Sequence, residues 1–491
     1  MSKLAKALTA AAGNAGGTLG YVEDVFSTYL YEGNGSTQTI TNGIDLDGEG
    51  GLVWIKERAA AGATNHALMD TERGGRYILS SSTTGGELTA SVSEAITGFN
   101  SDGFDLGATY SNSYRTNTSS NTYASWSFRK AEKFFDVVTY TGDGTTSREI
   151  AHNLGSVPGF VLIKRTDSSS NWAAWCIRGN GTQAISALNL NDPKASGVVW
   201  STYWLDGMTD SVINLAKVAD SGSGNSHNVN GGTYVAYLFA SDAGGFGDDG
   251  SESIIKCGSF TGNTTVDLGF EPAWIMIKPT STTGDWDMHD VMRGWPSSGD
   301  AQRLRANLSE AETSTSQIYP NATGFSTLIG SASYIYIAIR RPMKTPESGT
   351  EVFNSLAYTG DGASTRNFDL GLTLDAYFQA CRSSSTYDFK NLTARLTGKL
   401  LYTAGTSAEF VSGTSLDVQE GLRATVFENT LNQSGQTYII NGFKRATGFF
   451  DVVAYTGTGS NRTISHNLGV APEMMIIKAR ESLSPYVAGW V

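Results

Sequence analysis

A chain of 491 residues with 47 acidic and 35 basic side chains carries a net charge of −12, which argues against nucleic acid as a partner, since its binders need a basic face to displace counterions. Its 57 glycines against 10 prolines fit many tight turns between short strands rather than a proline-rich linker. The odd set Cys176, Cys257 and Cys381 offers no pairing pattern, which argues against a disulfide framework and for synthesis in a reducing compartment, and no apolar run approaches the roughly 18 residues of a membrane span.

Residues 1–25 read as an N-terminal arm, since the alanine-rich opening MSKLAKALTAAAGN is interrupted by Lys6 and is too weakly apolar for a secretory signal. From residue 26 onward the chain repeats. A strand ending in an aromatic-Thr-Gly signal opens each unit, at Tyr140, Thr141, Gly142, then Phe260, Thr261, Gly262, then Tyr358, Thr359, Gly360, and finally Tyr455, Thr456, Gly457; Tyr31, Glu32, Gly33 form a degenerate first member. An Asn-Leu-Gly or Asp-Leu-Gly turn follows, at 153–155, 267–269, 369–371 and 467–469. Next come short apolar strands closed by lysine, VWIK at 53–56, VLIK at 161–164, IMIK at 275–278 and MIIK at 475–478, and each unit closes on an aromatic strand, TYASWSF, TYVAYLF, SYIYIAI or TYIINGF. The strongest likeness joins FFDVVTYTG at 134–142 to FFDVVAYTG at 449–457.

The repeat of about 100 residues is too long for a solenoid coil and suits a domain with its own core. The expected architecture is all-β, a tandem row of antiparallel, jelly-roll-like β-sandwich domains at 26–134, 135–250, 251–350 and 351–448, with a fifth beginning at 449–491. The fifth copy is short beside its siblings, and the sequence is expected to be a fragment of a longer chain. Only 301–309 and 415–423 read as short helical turns.

Residues able to carry chemistry are few. His152 and His466 share one repeat position and His66 and His289 read as sharing another, which points to turn-fixing hydrogen bonds rather than to a metal or acid-base site. Arg73, Arg178 and Arg293 recur before glycine, the first and last three residues after Asp70 and Asp290, as expected of an exposed loop-fixing ion pair. The acid-glycine runs at 45–50 and 247–250 lack the distal ligand of a calcium loop and read as turns. No catalytic, cofactor-binding or metal-binding residue is expected. Trp172, Trp175, Trp204, Trp286 and Trp295 lie beside loops and are the candidates for stacking on carbohydrate or anchoring protein contacts.

The opening MSKLAKALTAAAGN, the stretch YVEDVFSTYLYEGNGSTQTITNGIDLDGEGGLVWIK and the repeated FFDVV(T/A)YTG with its HNLG turn resemble virion proteins of tailed bacteriophages, especially phages of marine bacteria, in which a domain of unknown function is repeated in tandem. The resemblance implies a tail fibre assembled in the host cytoplasm, docked on the tail through residues 1 to 135 and extending toward the host surface, with other virion proteins and host-surface glycan as partners. A capsid-decorating or head-fibre protein is the alternative, and a carbohydrate-active tail spike a third reading; the chain is not expected to be an enzyme. Fibre stiffness favours a homotrimer, with exposed aromatics at Trp126, Phe128, Tyr237, Phe239, Tyr334 and Tyr336 supplying the interface between copies.

Overall fold

A computed structural model of the chain describes residues 20–59, 64–111, 113–145, 147–177, 183–192, 205–216, 227–363, 365–384, 391–403, 407–410, 413–426 and 432–481. Four successive units repeat one all-β plan. In the first, a sheet orders Phe26–Glu32, Thr122–Arg129, Gly51–Glu57 and Ala67–Asp70, and a smaller sheet orders Gln38–Thr41, Gly103–Leu106 and Ile96–Asn100. The second unit orders Phe135–Thr141, Thr233–Phe239, Phe160–Arg165, Ala173–Ile177 and Gln183–Ala187, the third Ile255–Thr261, Ser333–Arg340, Pro272–Pro279, Asp287–Asp290, Ala301–Arg305 and Thr313–Thr315, and the fourth Phe353–Thr359, Thr437–Phe443, Ala376–Cys381, Asn391–Ala394 and Lys399–Tyr402. Every strand pair among the described residues is antiparallel, and in each unit the aromatic closing strand is central, between the opening strand and the lysine-ended one, whose place in the fourth unit is taken by Ala376–Cys381, without lysine.

The repeat signature has a steric cause. In the first, second and fourth units the glycine of this signal abuts a loop backbone: a Cβ on Gly33, Gly142 or Gly360 would fall 2.3, 2.1 or 2.1 Å from the carbonyl oxygen of Thr118, Val229 or Gln433, whereas Gly262 of the third takes a φ of 72° with its nearest neighbour at 3.3 Å. No other residue fits that approach.

The lysine-ended strands are apolar almost without interruption because both faces are covered. Leu52 and Trp54 point into a core shared with the second and third units, whereas Val53 and Ile55 fill the first unit's own core. Trp274 and Met276 likewise reach the shared core while Ile275 and Ile277 fill that of the third unit. Alternation is therefore present but invisible as polarity, since a strand's two faces are both buried. The shared core gathers Phe26, Trp126, Phe128, Phe135, Phe239 and Trp274, and the fourth unit keeps a separate core around Tyr358, Leu374, Tyr377 and Tyr438.

Two expectations are corrected. The stretches 301–309 and 415–423 contain strand rather than helical turns: Ala301–Arg305 pairs with Asp287–Asp290 and Thr313–Thr315, and Leu422–Val426 pairs with Arg366–Phe368. Cross-strand pairing overrode their local preference. The aromatics expected between copies are also used within one chain: Trp126, Phe128, Tyr237, Phe239 and Tyr336 are buried, and Tyr334 is half-buried and stacks on Phe260.

Candidate functional site

The first three units close on one another as a ring, and strand register identifies the residues that do it. Ala67, Ala173 and Asp287 occupy one position, each opposite the isoleucine before the strand's lysine. The residues just before them are His66, Trp172 and Trp286. Trp172 Nε1 donates to Ser80 O of the first unit at 2.7 Å, Trp286 Nε1 donates to Ala187 O of the second at 3.1 Å, and His66 Nε2 meets Arg305 O of the third at 3.0 Å. Trp54 Nε1 donates to His66 Nδ1 at 2.8 Å, which assigns the proton to Nε2 and makes the histidine the donor. Burial holds its pKa well below the ordinary value, so the ring is neutral. Two residues earlier, Thr64, Ser170 and Gly284 donate their amides to Ser309 O, Thr84 O and Asn191 O with the same direction of travel. First reaches third, third reaches second, and second reaches first.

The strand-ending lysines lie in these seams. Lys56, Lys164 and Lys278 are fully buried. Lys56 Nζ donates to Glu57 O at 3.1 Å, Thr64 Oγ1 at 3.2 Å and Ser309 O at 3.4 Å; Lys164 Nζ donates to Thr84 O at 3.0 Å and Ser170 O at 2.8 Å; Lys278 Nζ bonds Gly284 O. Burial brings all three down to about 8. The sequence shows them at a constant offset from an apolar run, a signal that was there to be read but gave no hint of their burial.

A second polar layer differs from seam to seam. Asp70 accepts from Tyr237 Oη at 2.7 Å and Arg73 Nε at 2.7 Å, and Asp290 accepts from Trp126 Nε1 at 3.2 Å and Arg293 Nε at 2.6 Å. At the third seam the corresponding positions hold Cys176 and Ile337 and carry no charge. The expected exposed Asp-Arg pairs are thus corrected: all four side chains are at most 5% exposed. Arg178 lies outside the described residues. Register also separates His66 from His289, which aligns with Met69 instead. His152 and His466 do match, each accepting through Nδ1 from the amide of Leu154 or Leu468 at 3.2 Å.

The tryptophans expected to meet a ligand are corrected in the same way. Trp172, Trp175, Trp286 and Trp295 are 0, 3, 1 and 1% exposed, and two of them tie the ring together. Trp204 lies outside the described residues.

Where the fourth unit leans on the ring, a cleft of about 840 Å³ opens between Glu32, Arg58, Glu312, Arg366, Asp417 and Arg423. Arg58 Nη2 reaches Glu312 Oε1 at 2.9 Å and Asp417 Oδ2 at 3.3 Å, so one guanidinium joins the first, third and fourth units. A second joint is more deeply buried. Arg445 donates both terminal nitrogens to Glu271 at 2.7 Å and its Nε to Asp451 at 2.6 Å, with Arg341 3.4 Å from each acid. Among the described residues no group of three or more His, Cys, Asp or Glu side chains could hold a metal ion. The runs at 45–50 and 247–250 are turns, with Asp45 Oδ1 accepting from the Gly48 amide and Asp249 Oδ1 from the Ser251 amide.

A family model described as a domain of unknown function (DUF7483) matches residues 22–339 and 348–489, the first stretch ending where the ring ends. Comparison with curated proteins yields no match.

Proposed function

With the chain a member of the DUF7483 family, we propose that it is a structural protein of a bacteriophage virion, a tail fibre that is assembled in the host cytoplasm, docks on the tail through its N-terminal region and extends toward the host surface. The observation that carries this reading is the fate of the repeated side chains. His66, Trp172 and Trp286, the lysines Lys56 and Lys164 and the Asp70 and Asp290 pairs all bind one unit to the next. Such use suits a part that transmits load between domains, and the resemblance of the repeat motifs to phage virion proteins supplies the setting.

On this reading the chain is not an enzyme. A glycosidase needs a pair of carboxylates facing a sugar across a cleft, and here Glu312 and Asp417 are both bound by Arg58. Contact with host glycan therefore has to use surface other than the buried tryptophans. Homotrimerisation belongs to the same proposal and likewise needs a surface other than the aromatic strands; light scattering reads it directly, three times 52.2 kDa supporting it and 52.2 kDa refuting it.

Antibodies raised against the recombinant chain and applied to phage particles from the source culture test the main reading in the electron microscope. Label along the tail is the expected result. Label on the capsid favours the head-fibre alternative, and absence of label on every particle overturns the proposal.

A further inference from the structure

Where the first, third and fourth units meet, a cavity of about 320 Å³ is lined by Phe26, Met292, Trp295, Glu23, Arg395 and Lys444 among others, with the exposed Gly43 and Pro342 at its mouth. Arg395 sets it apart. This side chain is 6% exposed; its Nε and Nη1 donate to Leu374 O at 2.9 Å and Met292 O at 3.3 Å, while Nη2 meets no acceptor among the described residues. The fold does not require a cation there. The Arg395 amide donates to Asp375 O as those of Thr71, Ile177 and Val291 donate to Gly51 O, Gly159 O and Ala273 O, so neutral residues hold the same position in the first three units. Asp375, Asp417 and Asp290 act on Arg395 only through space, and burial holds its pKa below the ordinary value. A buried guanidinium with an unused donor is costly and calls for a partner.

The opposite need lines the same cavity. Glu23 Oε1 accepts from the Met343 and Lys344 amides at 2.8 and 2.9 Å, but its buried Oε2 has no donor among the described residues. Lys444, half-buried, acts on Glu23 through space. The other lining charges are answered within the protein: Arg341 and Arg445 by Glu271 and Asp451, Arg340 by Glu252, and Asp375 by the Arg445 amide at 2.7 Å.

We propose that this cavity holds one acidic sugar residue, its carboxylate taken by Arg395 and Lys444 and a ring hydroxyl donating to Glu23. A guanidinium and an ammonium are the groups that hold a carboxylate, and a hydroxyl supplies the donor that a carboxylate oxygen needs. An inorganic anion would answer Arg395 and leave Glu23 Oε2 without a donor; a neutral sugar would do the reverse. The volume lies at the small end of ligand pockets and suits one sugar residue rather than a chain. The source of that sugar, an end group of host-surface glycan, rests on the fibre reading; the chemistry of the site does not.

Isothermal titration of the full chain with sodium glucuronate, galacturonate and N-acetylneuraminate, at an ionic strength fixed with chloride, should give saturable one-site binding for at least one of them. Glucose and acetate each supply half of the chemistry and should bind about tenfold more weakly or worse. Arg395→Met and Lys444→Met should each weaken the acidic sugar about tenfold or more; the half-buried Lys444 keeps the test open if Arg395→Met loosens the fourth unit. Failure of all three sugars to bind, equal binding of acetate, or binding that neither variant weakens would each overturn the assignment. Antibody labelling of particles decides the virion reading separately, so either can fail without the other.

Discussion

Replacing Asp70 by alanine tests whether the ring is held by its buried polar layer. Its carboxylate is fully buried and accepts from Arg73 Nε at 2.7 Å, the Arg73 amide at 2.9 Å and Tyr237 Oη at 2.7 Å. Its removal leaves a guanidinium that is 5% exposed with Glu87, at 3.0 Å, as its remaining acid. Breaking a buried pair from one side costs about 3 to 5 kcal/mol, a large part of the roughly 5 to 15 kcal/mol by which domains are stable. Tyr237→Phe removes the hydroxyl's bond to the Asp70 carboxylate and the one it accepts from Arg73 Nη2 at 3.1 Å, and should cost about 1.5 to 3 kcal/mol. Because the two residues touch, the double variant should lose less than the sum, with a coupling of about 1 kcal/mol or more. Urea unfolding followed by tryptophan fluorescence measures all three. A loss below about 1 kcal/mol for Asp70→Ala, or strict additivity, would show that this seam is held by apolar packing alone.

Three further outcomes are expected. The seam lysines have folded pKa values of about 8, lowered from 10.5 by burial, so carrying their charge opposes folding below pH 8 and that cost is relieved as pH rises; between pH 7 and 8.5 each lysine should add about 0.8 kcal/mol of stability, and a melting temperature that stays flat or falls over that interval would contradict it. Gly142→Ala should destabilise by about 2 to 4 kcal/mol, because its Cβ meets Val229 O, whereas Gly231→Ala, with φ of 77° and open space around it, should lose only about 1 kcal/mol; equal losses in thermal unfolding would remove the steric explanation of the repeat signature. Glu271→Ala leaves Arg445 and Arg341 sharing Asp451 as their acid, and hydrogen exchange should rise across 444–468 while the ring melts unchanged; unaltered exchange would mean that the joint does not hold the fourth unit.

Much of the fold was legible because its punctuation is steric. The glycines at 33, 142 and 360 and the Asn-Leu-Gly and Asp-Leu-Gly turns, where Gly155, Gly269, Gly371 and Gly469 take φ between 63° and 80°, tolerate few substitutes and so mark every unit. The ring was not legible, since nothing local says whether an aromatic on a strand faces solvent, a second copy or the next unit. Trp126, Tyr237 and Ile337 share a register position, yet only the partners of the first two, Asp290 and Asp70, reveal seams, and those lie far away in sequence. The paired burial of VWIK and IMIK hid alternation for the same reason. One hint did exist: the copy most like 134–142 stands at 449–457, three units on, which is the period a three-membered ring imposes if the fifth unit holds the second unit's place.

The unequal seams bear on how the chain finds its shape. In a ring of identical subunits every contact is the same and any two surfaces can meet. Here an acid awaits a tyrosine at one boundary and an indole at another, while at the last a thiol faces the backbone carbonyls of Gly258 and Tyr336. A unit that docks at the wrong boundary would bury an unanswered carboxylate, so the seams themselves tell matched from mismatched boundaries, and mutation can tune one boundary while leaving the other two intact.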